Sequence, residues 1–302
     1  MTSIITNNSA MAALQTLKGI SSSLQSTQSA VSSGLRISKA SDNAAYWSIA
    51  TSMKSDDSAL GAVSDALGLG AAKVDTASTA VTSAIDVVGQ IKNKLVTAME
   101  GSVDKSSVQQ EIGQLQQQLQ SVAQSASFNG ENWVIAKGGD SASVVSSFIR
   151  GTNGTVSVST TSYAFDSGAT GNVLFGASAS GTIDTTSGIL GTATGSYSVF
   201  SLDISGMTGG QISSSLNMVQ TALNSLTSMG SKLGSISGRI DLQTTFASSL
   251  SSSIESGVGK LVDANMEQES SKLSALQTQQ QLAVQSLSIA NSSTQSILSL
   301  FR

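Results

Sequence analysis

Eight apolar residues stand at a strict spacing of seven in the C-terminal half of the chain: Ile212, Val219, Leu226, Leu233, Ile240, Ala247, Ile254 and Leu261. A seven-residue repeat held this long keeps one stripe of an α-helix against a partner and imposes a left-handed supercoil. A second ladder keeps the same spacing through Leu60, Leu67, Val74, Val81, Val88 and Leu95. Three places after each rung come Val63, Gly70, Ala77, Ala84, Ile91 and Ala98, which are mostly small and allow close helix approach. Gly101 and Asp104 punctuate. Val108, Ile112, Leu115, Leu119, Val122 and Ala126 then make a third run, and Phe128-Asn129-Gly130 marks a turn at its end. No proline occurs in 302 residues. An internal proline costs a helix about 3 kcal/mol, so its absence leaves these ladders uninterrupted.

Both ends of the chain carry heptads as well. Leu14, Leu17, Leu24, Val31 and Leu35 fall in one frame, with Ser21 and Gln28 in its remaining places. Beyond Lys260 the frame runs through Val262, Met266, Leu273, Leu276, Ala283, Leu287, Ala290, Ile297 and Phe301, interrupted by Glu269, Gln280 and Thr294. Along the eight-rung ladder the intervening places are Leu216 and Leu223, then Gly230, Ser237, Thr244 and Ser251. Helices from opposite ends of a chain can lie antiparallel and bury such stripes. A pair of roughly 35–40 residues would be about 55 Å long. Alone in water it would be marginal, because most helix stability comes from packing. Wide, uncharged stripes at both ends therefore predict segments that order as several copies of the chain assemble.

Between the flanks, about 136–206, the helical period is lost. Val156-Ser-Val158 alternates, Asn172-Val-Leu-Phe-Gly176 is a short apolar run, and Tyr197 to Ile204 alternates around aromatics, with glycines between. This spacing predicts short strands in a small insert that projects from the helices. The fold class is accordingly mainly α, a long antiparallel coiled-coil rod made from both flanks, with a small β-rich central insert. Aromatics at 4% point to burial in thin aliphatic seams.

Composition removes several functions. With no His and no Cys there is no zinc finger, disulfide framework, thiol nucleophile or Ser-His-Asp triad. No catalytic, metal or cofactor site is expected, and enzymes are disfavoured. Fifteen Lys+Arg against nineteen Asp+Glu form no basic stripe for nucleic acid. Met1 to Ile20 lacks the basic and apolar regions of a secretory signal peptide. No run of about eighteen apolar residues predicts a membrane span.

Two distant motifs then point to a family. Val31-Ser-Ser-Gly-Leu-Arg-Ile37, followed by Ala40-Ser-Asp-Asn-Ala-Ala45 and Ile49-Ala50, resembles the N-terminal signature of bacterial flagellin. Leu261-Val-Asp-Ala-Asn-Met266, Gln279-Gln-Gln281 and Ser296-Ile-Leu-Ser-Leu-Phe-Arg302 resemble its C-terminal signature. Ile4 to Asn7 and Ser127 to Gly130 are similar too. Tyr46-Trp47 resembles the alphaproteobacterial, rhizobial-type branch.

The resemblance implies a filament subunit for swimming motility, with 1–40 plus 260–302 as an inner coiled-coil domain, 41–136 plus 207–259 as a helical rod domain and 137–206 facing solvent. It implies export without a cleaved signal peptide through the flagellar type III channel, and polymerisation outside the cell. Expected partners are further copies, other flagellins, the export apparatus, an export chaperone, and cap and hook-junction proteins. Self-assembly is expected to use Leu14, Leu17, Leu24, Val31, Leu35, Arg36, Asp42, Met266, Leu273, Leu276, Leu287, Ile297, Leu300 and Phe301, with Asp42 near Arg36 and Lys39 for an intersubunit ion pair. The rod core is expected at Leu60, Leu67, Val74, Val81, Val88, Leu95, Ile112, Leu115, Leu119, Ile212, Val219, Leu226, Leu233 and Ile240. The span Ser29 to Ala50 corresponds to a segment read by plant receptors. Ser29-Ala30, Asn43 and Tyr46-Trp47 depart from the usual residues there, which implies weak recognition. The run Gln90 to Leu95 lacks the Arg-Glu-Leu pattern of the vertebrate receptor site. A hook–filament junction protein shares similar termini. A chemoreceptor-like signalling coiled coil, also rich in Ala, Ser and Gln, is the alternative of another class.

Overall fold

Polar side chains set where each helix begins. The computed structural model describes residues 7–151, 155–178 and 181–299, with 293–299 by backbone only. Helix α1, Asn8–Ser33, starts where the Asn7 side chain accepts the Ala10 N–H at 3.0 Å. It stops at Gly34, whose φ of 71° suits a residue without Cβ, and whose N–H donates to Ala30. Helix α2, Ala44–Ala98, begins at Asn43, which accepts the Tyr46 N–H. Asp104 accepts from Ser106 and Ser107 at the start of α3, Lys105–Ser125. Helix α4, Gly209–Val262, opens with one half of a capping box, Gln211 accepting from the Thr208 backbone N–H and hydroxyl. Asn265 takes the N–H groups of Glu267 and Gln268 before α5, Met266–Ser299.

The serine and threonine excess has a local outlet inside these helices. Hydroxyls of Thr16, Ser29, Ser33, Thr82, Ser83, Thr227, Ser231 and Thr278 each donate to the carbonyl four residues back. Such bonds keep a small polar residue satisfied without a charged neighbour.

Contacts divide the chain into two compact units. A terminal unit takes the described residues up to Ser58 and from Ser251 onward, and a central unit takes Ala59–Leu250, so α2 and α4 each contribute to both. In the central unit the expected core is buried: Leu67, Val74, Val81, Val88, Leu95, Ile112, Leu119, Ile212, Val219, Leu226 and Leu233 are all 0% exposed. Leu60 and Ile240 are also buried, and Leu115 is half-buried at the edge. One detail differs along α4. The rows closing the seam are Ser215, Ala222 and Met229, three places after each rung, while Leu216 and Leu223 are half-buried and Gly230 and Ser237 line the margin. Places i+3 and i+4 lie on one helix face, so spacing alone left the choice to the neighbours.

The middle segment joins that core. Asn129 and Gly130, with φ of 51° and 84°, make the tight turn between β1 (Ser127–Phe128) and β2 (Glu131–Asn132). β3 (Ile135–Ala136) runs parallel to β6 (Phe175–Ala177), which pairs antiparallel with β7 (Ile183–Asp184). β4 (Ser141–Arg150) and β5 (Val156–Ala164) form a separate antiparallel ribbon with a register shift between Val145 and Ser147. Strands at Val156–Val158 and near Phe175 match expectation. Tyr197 to Ile204 is not a strand. Gln116 donates to the carbonyls of Val199 and Leu202, and Gln109 accepts the Ile204 N–H, so side chains from α3 replace a sheet partner.

The thin-seam expectation fails in this unit. Trp133, Tyr163, Phe165, Phe175, Val199, Leu202 and Ile204 belong to the same buried cluster as the helices. Trp133 stacks on Tyr163 with centroids 5.6 Å apart, and Phe165 meets both edge-on. The insert thus shares its core with the helices. Val144 of β4 sits directly over Gly70: a Cβ there would lie 2.1 Å from a Val144 methyl.

Candidate assembly surface on the terminal helix pair

In the terminal unit α1 and α5 lie antiparallel. Asn7 donates from Nδ2 to the Ala290 carbonyl at 3.0 Å near one end, and Leu35 and Asp263 form an antiparallel bridge at the other. At that second end the two flagellin-like motifs bond to each other. The N–H groups of Arg36 and Ile37 both reach the Val262 carbonyl, at 2.7 and 3.2 Å. The Ala264 N–H donates to Gly34, and the Arg36 guanidinium donates to the Leu261 carbonyl at 2.8 Å. Ile37, Ala50, Val258 and Val262 make a small buried cluster, flanked by Leu35, Met53, Ile254 and Leu261.

The loop before α2 is built from the same motif. Asp42 accepts the N–H groups of Ser38 and Lys39 and the Ser38 hydroxyl, while its neighbour Asn43 caps α2. Those bonds hold the Asp42 carboxyl below its ordinary value, the backbone bond from Ser38 being the largest cause. Arg36 is spent on a carbonyl and Asp42 on its own loop. Both side chains are exposed.

The α5 frame falls where its heptads place it. Glu269, Leu273, Leu276, Gln280, Ala283, Leu287 and Ala290 are all half-buried along one stripe, although Met266 is 43% exposed at the helix start. On α1 the frame is only half right. Leu17, Leu24 and Val31 lie in the seam, and Leu35 is half-buried beyond its end, but Leu14 is 44% exposed and Ser21 and Gln28 face outward. Ala13, Ile20 and Thr27 take those places instead, four residues before Leu17, Leu24 and Val31. The reason is again the equivalence of i+3 and i+4, here settled by where α5 lies. Of α1 only Thr27 is fully buried. The side chain of Ile297, and Leu300 and Phe301 altogether, lie outside the described residues.

Residues off the heptad frames supply what the sequence reading missed. Met11 on α1 and Leu282, Val284 and Ile289 on α5 are 52–63% exposed. Leu282 and Ile289 are seven apart, the one signal that could have exposed a second apolar row. Tyr46, Trp47 and Ile49 add exposed apolar surface at the start of α2. Charge is sparse here: Lys18 is the lone charged residue of α1, and α5 carries Glu267, Glu269 and Lys272 in its opening turns and none thereafter. A pair of helices with apolar rows on its outside and almost no charge is suited to packing against like surfaces.

Comparison with known proteins decides the family. The model of the bacterial flagellin N-terminal helical region matches residues 4–137, and that of the C-terminal helical region matches 216–301. The chain belongs to the flagellin family. It is 47% identical over 303 positions to a flagellin of Brucella melitensis, 45% over 322 to Flagellin C of Rhizobium meliloti and 44% over 395 to Flagellin A of the same species. Each alignment covers all of both chains. This rhizobial-type flagellin is a structural subunit of the bacterial flagellar filament, found outside the cell, and family membership implies polymerisation with other flagellin copies. The junction-protein and chemoreceptor readings are not favoured. Among the described residues no helix is long and apolar enough to cross a membrane.

Proposed function

We propose that subunits join through the outer faces of α1 and α5, where Met11, Leu14, Leu282, Val284 and Ile289 meet the same helices of neighbouring copies. The observation that carries this reading is the exposure of these residues on a pair whose own seam is only half-buried. Repeated head-to-tail use of unlike faces gives an open filament instead of a closed ring. The inner seam residues Leu17, Leu24, Val31, Leu273, Leu276 and Leu287 hold the pair together. Domains follow as 1–40 with 260–302 in the filament core, 41–136 with 207–259 around it, and 137–206 toward solvent. The subunit acts by packing and carries out no catalysis.

Export through the flagellar channel without a cleaved signal peptide fits the same chain, as do a chaperone on α5 and cap and hook-junction proteins at the ends of the filament. Deleting residues 299–302 leaves a soluble subunit that no longer extends seeds, read by electron microscopy. Normal filaments from that truncation would overturn the placement. Weak reading of Ser29 to Ala50 by the plant receptor rests on the departures at Ser29, Ala30, Asn43, Tyr46 and Trp47. A synthetic 29–50 peptide should give little defence response, and a strong one removes that part of the proposal.

A further inference from the structure

The ribbon of β4 and β5 is a two-stranded sheet by itself, so among the described residues each strand keeps one unpaired edge. Bonds at its two ends show which backbone groups lie on the β5 edge. Gly151 N–H donates to the Thr155 carbonyl and Phe165 N–H to the Asp140 carbonyl, both at 2.8 Å. Bonded and non-bonded pairs alternate along an antiparallel ladder. Arg150–Val156 and Ser141–Ala164 are the next pairs inward from those bonds. On β5 the even-numbered residues therefore point N–H and C=O away from β4. Both ends agree, because the extra residue at the register shift, Ser146, lies on β4. The Ala164 carbonyl is taken by Asn172 Nδ2 at 2.7 Å. Val156, Val158, Thr160 and Ser162 are exposed, and no hydrogen bond within the described residues takes their outward groups. Such edges are normally blunted by charge, proline or a bulge. β4 has the bulge and ends on Arg150, whereas β5 has no charge, no proline and no bulge. At 9 residues it also exceeds the usual strand of about five or six.

We propose that β5 pairs edge to edge with β5 of a second copy, antiparallel about Ser159, and so joins one filament to another. Turned about that centre, Val156 meets Ser162 of the second copy and Val158 meets its Thr160. Every outward N–H then faces a carbonyl. The absence of charge selects a like partner: a two-fold axis brings each charge toward its own copy, and this edge has none to repel. Within one filament, copies are related by rotation and rise, without such an axis. The ribbon is also held in place, with Val144 over Gly70 of α2 and Arg239 of α4 donating to the Thr161 hydroxyl. The contact therefore falls between filaments. One such pair is weak, because an isolated two-stranded pairing is marginal in water. Repeated along two filaments, many weak contacts add. The inference rests on the reading that places 137–206 toward solvent.

Filaments of a Ser159→Cys chain test it, since the chain has no native cysteine. Ser159 sits at the centre of the pairing in a non-bonded pair, where Cα atoms stand about 4.5 Å apart, within disulfide range. Ser157→Cys instead sets the two thiols about 13 Å apart along the strands. On non-reducing gels, concentrated and mildly oxidised Ser159→Cys filaments yield about tenfold or more linked pairs than Ser157→Cys filaments. The yield falls when filaments are diluted before oxidation. Adding Val158→Lys sets like charges diagonally across the axis, and Thr160→Pro removes an outward N–H that β4 does not use. Each lowers the yield about fivefold or more, while Val158→Thr keeps it. Equal yields from the two cysteine positions, or a yield indifferent to Val158→Lys or to dilution, overturns the proposal. A water-soluble maleimide separates the two readings. If Ser157→Cys filaments react, residue 157 faces solvent, and a missing disulfide counts against the pairing alone. Filaments that do not react overturn the outward placement of 137–206 and the pairing with it.

Discussion

The terminal and central units are written in the same heptad code yet end with very different surfaces. In the central unit, rungs from α2, α3 and α4 reach 0% exposure because helices and the β-containing segment enclose them from several sides. In the terminal unit a seam of similar spacing is shared by two helices, and Thr27 is the sole fully buried residue of α1. A seven-residue repeat therefore announces that a face seeks burial, and the number of neighbours decides how far it gets. The central unit finishes its core within one chain. The terminal unit leaves its outer rows exposed.

Substitutions that separate stability from assembly test that contrast most sharply. Leu226→Ala removes a 0%-exposed side chain from the central core and should cost about 2–5 kcal/mol of unfolding free energy. Leu282→Ala, 60% exposed on α5, should alter soluble-chain stability by no more than about 0.5 kcal/mol. The two should exchange places when seeded elongation is measured, with Leu282→Ala strongly impaired. A large stability loss from Leu282→Ala, or unimpaired elongation, would break the comparison.

Much of this was legible in the sequence, for identifiable reasons. Strict ladders such as Leu67 to Leu95 survive any choice of partner, and the α5 frame even placed Glu269 and Gln280 in its stripe. The second row was not legible on α1 or α4. Ser21 and Ile20, like Leu216 and Ser215, both adjoin the shared face, and only the position of the neighbouring helix chooses between them. The Tyr197–Ile204 strand failed because alternation records which side chains are buried, and here Gln109 and Gln116 satisfy the backbone that a sheet would have satisfied. The meeting of Arg36 with the Leu261 carbonyl joins residues far apart in sequence and leaves no trace in either stretch alone.

A smaller effect probes how tightly the central unit is closed. Gly70→Ala pushes a Cβ to 2.1 Å from a Val144 methyl, so the Val144 side chain or β4 must give way, at a cost of about 1–3 kcal/mol. Val144→Ala in the same chain should recover part of that loss, giving a favourable coupling in a double-mutant cycle. Gly19→Ala, on α1 with open space around its Cβ, should be neutral or slightly stabilising. Equal losses at Gly70 and Gly19 would mean that the central unit is no better packed than the terminal one.

Protonation gives the smallest expected difference and distinguishes the units by its direction. In the terminal unit the Asp42 carboxyl lies below its ordinary 3.8 because Ser38 and Lys39 donate to it. Its contribution is complete above that value and is lost as pH falls through the lower folded value. The central unit has a counterpart in Glu131, lowered chiefly by the hydrogen bond from Lys73, so acid weakens both units. Alkali should not. Burial pushes the Tyr163 hydroxyl from 10.0 up to about 12, so its contribution is complete below pH 10 and is lost as pH rises toward 12. Thermal melts should therefore show a Tyr163-dependent loss over that window in the central unit, removed by Tyr163→Phe and left unaltered by Asp42→Asn. If Tyr163→Phe leaves the alkaline slope unchanged, the stacked Trp133–Tyr163 layer is open to water, and the central core is less closed than the 6% exposure of Tyr163 requires.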